Sequence, residues 1–281
     1  MSMYKRCFII CCVFLWSCQQ HPNIAPTKQQ PVLEHTTDSS FLADSVLIFK
    51  DSFFSQLTFP SDSTFDTLLL KHFDYSAQSL SSIERSMADH GLVDVLDVIP
   101  SIKVDLRYAT ADNFVGEVLY PSTTRCFLRM ETILKLLKAA CYLKEYNPAY
   151  TFIIFDGARP QSVQYKMYEI ARSKGQTKYV ASPLKGSLHN FGTAVDISLF
   201  DLDSNKELDM GTPFDFFGPE AQPRLQESLL REGKLSVLQI SNRNLLKKVM
   251  KKAGFRSIQT EWWHFEAFEK NYVRSVFKII P

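Results

Sequence analysis

Cysteine is scarce where it would matter. The chain has six cysteines, and four of them (Cys7, Cys11, Cys12 and Cys18) fall within the first eighteen residues, so they build no disulfide framework. No Cys-x-x-Cys pair occurs, which argues against a thiolate zinc site. Cys126 and Cys141 remain; Cys141 lies in an amphipathic pattern, and two partly buried thiols are expected rather than a disulfide. Blocks of Lys or Arg are missing too. The formal charge is +2, and Lys5 and Arg6 account for all of it, so the rest of the chain carries no electrostatic footprint for nucleic acid. There is no internal repeat. The apolar run over 7–16 is ten residues long, short of the roughly 20 that cross a bilayer.

That run, preceded by Lys5 and Arg6, reads instead as the core of an export signal. It ends in Leu15-Trp16-Ser17-Cys18, which resembles a bacterial lipobox, although Trp16 is bulkier than the usual residue. The expectation is a signal peptide over 1–17 and a lipidated Cys18 at the new N-terminus. This would hold the protein on a bacterial membrane, facing the periplasm. An uncleaved anchor or a plain secretory signal would export the chain as well. Residues 18–40, rich in Gln, Pro, Thr and Ser, read as a flexible tether, because they bury too little to offset their ordering entropy. Residues 41–82 mix apolar clusters with Ser and Asp and read as an N-terminal extension of short helices without an assigned function.

The main domain is expected over 83–281. Residues 102–107 alternate like a strand, and 128–146 have helical spacing through Leu128, Ile133, Leu134, Leu137, Ala140 and Cys141. Strands are expected over 150–155, 194–199 and 261–268, and helices over 160–173 and 242–253, the last closed by Gly254. Strands and helices mix without regular alternation, so an α+β domain is expected, not a doubly wound parallel sheet.

Three segments carry the chemistry: Ser187-Leu188-His189-Asn190-Phe191-Gly192-Thr193-Ala194-Val195-Asp196, Glu261-Trp262-Trp263-His264, and Asp156-Gly157-Ala158-Arg159-Pro160. His189, Asp196 and His264 offer two imidazoles and a carboxylate, the donor number of a catalytic zinc that keeps one position open for water. His189 and Asp196 are seven residues apart, and a turn at Gly192 into a strand would bring them together. Glu261 is a candidate base, but in an extended strand it would point away from His264 unless the backbone bends between them. Arg159, pinned by Pro160, suits either oxyanion stabilisation or a structural pair with Asp156.

Together these segments resemble the VanX-type D-alanyl-D-alanine dipeptidases, zinc peptidases whose fold is shared with D,D-carboxypeptidases and the hedgehog signalling domain. The pattern SxHxxGxAxD followed by ExWH is present, as are Val104-Asp105-Leu106-Arg107-Tyr108-Ala109-Thr110, the DGxRP turn and the paired tryptophan. The likeness runs over about 91–268. It implies a central antiparallel sheet flanked by helices and one Zn2+ per chain held by His189, Asp196 and His264. It further implies Glu261 as base and Arg159 at the tetrahedral intermediate. Tyr108 and Asp215 would bind the substrate ammonium, and Ser187 the other end of the dipeptide. Ala158 and Phe191 stand where many members carry Tyr and Arg, and are expected to reshape the pocket rim. An exported enzyme fits turnover of cell-wall peptides or scavenging of D-Ala. The rival readings are a D,D- or L,D-carboxypeptidase on longer wall peptides and a non-catalytic binding module.

Overall fold

The computed structural model describes residues 73–177 and 180–281. The expected signal peptide, Cys18, the tether and residues 41–72 of the extension lie outside them. In chain order the elements are α1 (Ser82–Asp89), β1 (Val93–Asp94), α2 (Val95–Val98), β2 (Lys103–Val104), β3 (Phe127–Leu128), α3 (Met130–Tyr146), β4 (Tyr150–Asp156), α4 (Gln161–Ser173), β5 (Ala194–Asp201), β6 (Lys206–Glu207), α5 (Gln226–Arg231), α6 (Val237–Lys252), β7 (Arg256–Ser257), β8 (His264–Glu266) and α7 (Lys270–Val276). Short 3-10 turns lie at Arg107–Ala109 and Leu188–Phe191.

This is an α+β domain. Its main sheet has the order β2-β4-β5-β8-β7, with β6 paired to β5. Every pairing is antiparallel except that of the edge strand β2, which runs parallel to β4. The centre is β4 and β5. Their near-continuous apolar runs suit strands covered on both faces, and both are buried almost from end to end. Helices α3 and α6 pack on each other, on β4 and on β5. Val163, Met167 and Ala171 of α4 form a second cluster with Tyr108, Val115, Leu119 and Tyr120.

Several boundaries differ from the sequence expectation. Leu128 belongs to β3, paired with β1, so the helix starts at Met130. Its buried stripe is Ile133, Leu136, Ala139 and Leu143, which leaves Cys141 exposed while Cys126 is buried; no disulfide joins them. Helix α6 begins at Val237, not at 242, because Ser236 and Gln239 form a capping box. The strand expected over 102–107 narrows to β2, and that over 261–268 to β8. The folded core also starts before residue 83. Tyr75 is buried against Phe127, donates from its hydroxyl to Asp97 (2.7 Å) and accepts from the Asp94 N–H (2.9 Å).

Candidate metal centre

Asp196 and His264 meet because β5 and β8 pair them directly in antiparallel register. Opposed residues of adjacent strands present their side chains to the same face. The third member comes from the turn that feeds β5. Ser187 caps Leu188–Phe191, its Oγ accepting the His189 N–H at 3.4 Å, and Gly192 ends the turn at φ +71°. Any other residue at 192 would be strained, and its Cβ would sit 2.8 Å from Leu92. The chain thus reverses between His189 and Asp196, and both side chains reach one point.

The three ligand atoms form a triangle. His264 Nδ1 lies 2.9 Å from Asp196 Oδ1, His189 Nε2 lies 3.2 Å from His264 Nδ1, and His189 Nε2 lies 3.4 Å from Asp196 Oδ1. A tetrahedral zinc with ligands at about 2.0–2.1 Å holds its ligand atoms about 3.3 Å apart, so this triangle fits one face of the tetrahedron. The hydrogen bonds around it agree. His189 Nδ1–H donates to the Gly157 carbonyl at 2.7 Å, which fixes the tautomer and leaves the Nε2 lone pair facing the triangle. Position 157 has room only for glycine, since a Cβ there would come within 2.6 Å of Cys126 Sγ. His264 turns Nε2 toward Glu266 Oε1 at 3.9 Å and Nδ1 inward. Among the described residues, these three form the group that could hold a metal ion.

The electrostatics favour a cation at this point. Burial opposes charge on Asp196, but His189 and His264 hold its carboxyl well below the usual carboxylate range. Burial likewise opposes charge on His264, yet Asp196, Glu266 and Glu261 outweigh it and raise its pKa to about 10. Of the other carboxyls that line the cleft, Glu266 is lowered by His264 and Lys270 against the effect of its burial, whereas Asp215 and Glu261 shift upward. For Asp215 the causes are burial and then the Asp196 charge; for Glu261 they are burial and, among the neighbours that raise it, again Asp196. Carboxyls pushed apart in one cleft mark different roles.

Glu261 reaches this cleft because the backbone does bend. Residues 262–263 form a bend, and β8 begins only at His264. The opposite-face objection holds for an extended strand and so does not apply. Arg159 is buried and makes the structural pair with Asp156 that the sequence allowed. Its Nε–H and one Nη2–H donate to Asp156, and Nη1 donates to Gln164 (2.9 Å) and Met167 Sδ (3.4 Å). The guanidinium lies 5.1 Å from the Tyr108 ring centroid and lines the same cleft. Tyr108 donates from its hydroxyl to Asp215 Oδ2 at 2.9 Å, and Asp215 sits at φ +60°.

The cleft holds about 220 Å³ and is lined by Tyr108, Arg159, Ser187, Asp215 and Glu261 together with the three triangle residues. Drug-sized ligands occupy roughly 300–1,000 Å³, so this space suits a small substrate. All eight sequence-derived positions therefore converge. Ala158 and Phe191 do not shape the rim as expected: both are buried away from the lining. Sequence reasoning missed the Gly157 carbonyl, Gln164, Asn190 and Glu266. Glu266 was within reach of it, since residues 264 and 266 share one strand face.

A family model described as D-ala-D-ala dipeptidase matches residues 88–280, beyond the expected 91–268 at both ends. The D-alanyl-D-alanine dipeptidase of Escherichia coli (strain K12) is 32% identical over 182 residues, 62% of this chain and 83% of that protein. Those of Enterococcus faecalis (strain ATCC 700802 / V583) and Enterococcus faecium are 26% and 28% identical, spanning 67% and 64% of this chain and 97% and 93% of theirs.

Proposed function

The chain belongs to the D-Ala-D-Ala dipeptidase family, and from that premise we propose that it is a zinc-dependent dipeptidase hydrolysing free D-alanyl-D-alanine. The observation that carries the reading is the triangle of His189, Asp196 and His264, whose edges of 2.9, 3.2 and 3.4 Å suit one tetrahedral ion, in a cleft shared with Glu261 and Arg159.

A zinc ion held by these three residues supplies Lewis acidity and lowers the pKa of water to about 7. The chain's own groups do the rest. Glu261, its pKa raised by burial, is suited to take the proton from the attacking water and return it to the leaving amine. The Arg159 guanidinium, which lines the cleft, donates to the oxyanion that develops on the scissile carbonyl. Asp215, oriented by the Tyr108 hydroxyl, pairs with the substrate ammonium, and Ser187 contacts the other end of the dipeptide. An enzyme built to pair with a free ammonium rejects a blocked one, because the buried Asp215 carboxyl would lose its partner.

The assay that tests this compares free D-Ala-D-Ala with its N-acetyl analogue, with and without a chelator. Release of D-Ala from the free dipeptide alone, stopped by the chelator and restored by Zn2+, is expected. Equal rates on the blocked analogue would favour the carboxypeptidase reading, and no turnover of either by the zinc-loaded protein would reject both. For the cell, we propose export, a lipid anchor at Cys18 and a role in recovering dipeptide from wall turnover; the leader over 1–17 supports this.

A further inference from the structure

The segment after α7 is tied into the site from behind. Ile280 is fully buried, packed with Tyr75, Met87, Leu92, Phe127 and Ala158. Its backbone is bonded on both sides: its N–H donates to the Asn190 carbonyl at 2.8 Å, and its carbonyl accepts the Gln161 N–H at 2.8 Å. Ile280 is therefore a rung between the turn that carries His189 and the start of α4, two residues after Arg159. Arg129 adds a second tie, donating from Nη2 to the Lys278 carbonyl (3.1 Å) and from Nε to the Phe191 carbonyl (3.0 Å).

Asn190 closes the circuit from inside. Its side chain is fully buried; Nδ2 donates to the Arg159 carbonyl at 2.7 Å, and Oδ1 accepts the Ser187 N–H at 2.6 Å. The Arg159 N–H in turn donates to the His189 carbonyl at 2.9 Å. The metal-ligand turn, the Arg159 backbone and the C-terminal strap thus share one closed hydrogen-bonded loop. Neither Asn190 nor Ile280 lines the cleft.

We propose that Asn190 and the strap through Ile280 are positioning residues, which hold His189 and Arg159 at a fixed separation on either side of the substrate carbonyl. This rests on the dipeptidase reading for its catalytic consequence, but not for its effect on the metal. Groups behind a metal ligand typically alter metal affinity 10–100-fold when removed, and a misplacement near 1 Å costs on the order of 10²-fold in rate.

The test uses two variants of the full chain, Asn190→Ala and deletion of residues 280–281. A third variant, Leu246→Ala, serves as a control for lost stability, since Leu246 is buried in α6 and outside the circuit. Zinc affinity is read by competition with a chromophoric chelator, and kcat and KM are measured at a temperature where all are folded. Both test variants are expected to bind zinc about 10–100-fold more weakly and to lose kcat with KM nearly unchanged, while Leu246→Ala keeps both values. Should one test variant fail to fold, the other decides. Zinc affinity and kcat in the test variants no lower than in Leu246→Ala would overturn the proposal. If the wild-type chain left D-Ala-D-Ala intact while the variants still lost zinc, the substrate reading would fail and the positioning role would stand.

Discussion

At the scale of single residues, the account turns on carboxyls in one cleft driven in opposite directions. Asp196 is held ionised by two imidazoles, whereas burial pushes Glu261 above its ordinary value of 4.5. A general base works only when ionised. With Glu261 as the proposed base, activity should be present above its raised pKa and be lost as pH falls through it, so the acid limb of kcat/KM should lie above 4.5. Glu261→Gln should remove that limb and lower kcat by about 10²–10⁴-fold while leaving bound zinc in place. Wild-type turnover in this variant would show that the proton goes elsewhere. The identity of these residues was legible from three short segments. Their mutual support was not. The Gly157 carbonyl that orients His189 lies 32 positions away in sequence, and a backbone oxygen leaves no mark in residue type.

At the scale of elements, the site depends on how its supports begin and end. The turn at Leu188–Phe191 stops at a left-handed Gly192, and this was readable because few residues tolerate φ +71°. The start of α6 was not read, although Ser236 and Gln239 spell a capping box, because Val237 and Leu238 are exposed and break the apolar periodicity. The bend between Glu261 and His264 was also illegible, since two aromatic residues there suit a strand as well as a bend. Helix α1 offers a test of the frame. Glu84 is buried and accepts N–H bonds from Ser81 (2.8 Å), Thr124 (2.9 Å) and Arg125 (3.0 Å), tying the helix to the segment before β3. Burial alone would raise its pKa, but these donors outweigh it and lower it. A depressed pKa gives stability that is present above the unfolded value and lost as pH falls through the folded one. Glu84→Gln should therefore cost about 1.5–3 kcal/mol in denaturant unfolding at pH 7, with the gap to wild type closing below pH 4.5. A constant gap across that range would mean that the carboxylate charge contributes nothing.

At the scale of the whole molecule, the proposal is a leader over 1–17 and a tether that hold the dipeptidase-family domain at a membrane after export. If Cys18 carries the lipid, Cys18→Ala should abolish labelling by a fatty-acid probe and move the protein from the membrane fraction to the soluble one. Unchanged membrane retention would assign the anchor to the apolar run itself. The α+β class was legible because strand-like and helical segments follow each other irregularly. The parallel edge strand was not, since two residues of β2 carry no directional signal. The central claim concerns ligands drawn from a turn and two strands onto a single ion. X-ray absorption at the zinc edge of the purified, zinc-loaded protein tests it most directly. Two nitrogen ligands and oxygen ligands at about 2.0–2.2 Å are predicted, with the imidazole signal lost in His189→Ala and His264→Ala together. A zinc spectrum unchanged by those two substitutions, or one dominated by sulfur at about 2.3 Å, would contradict the account.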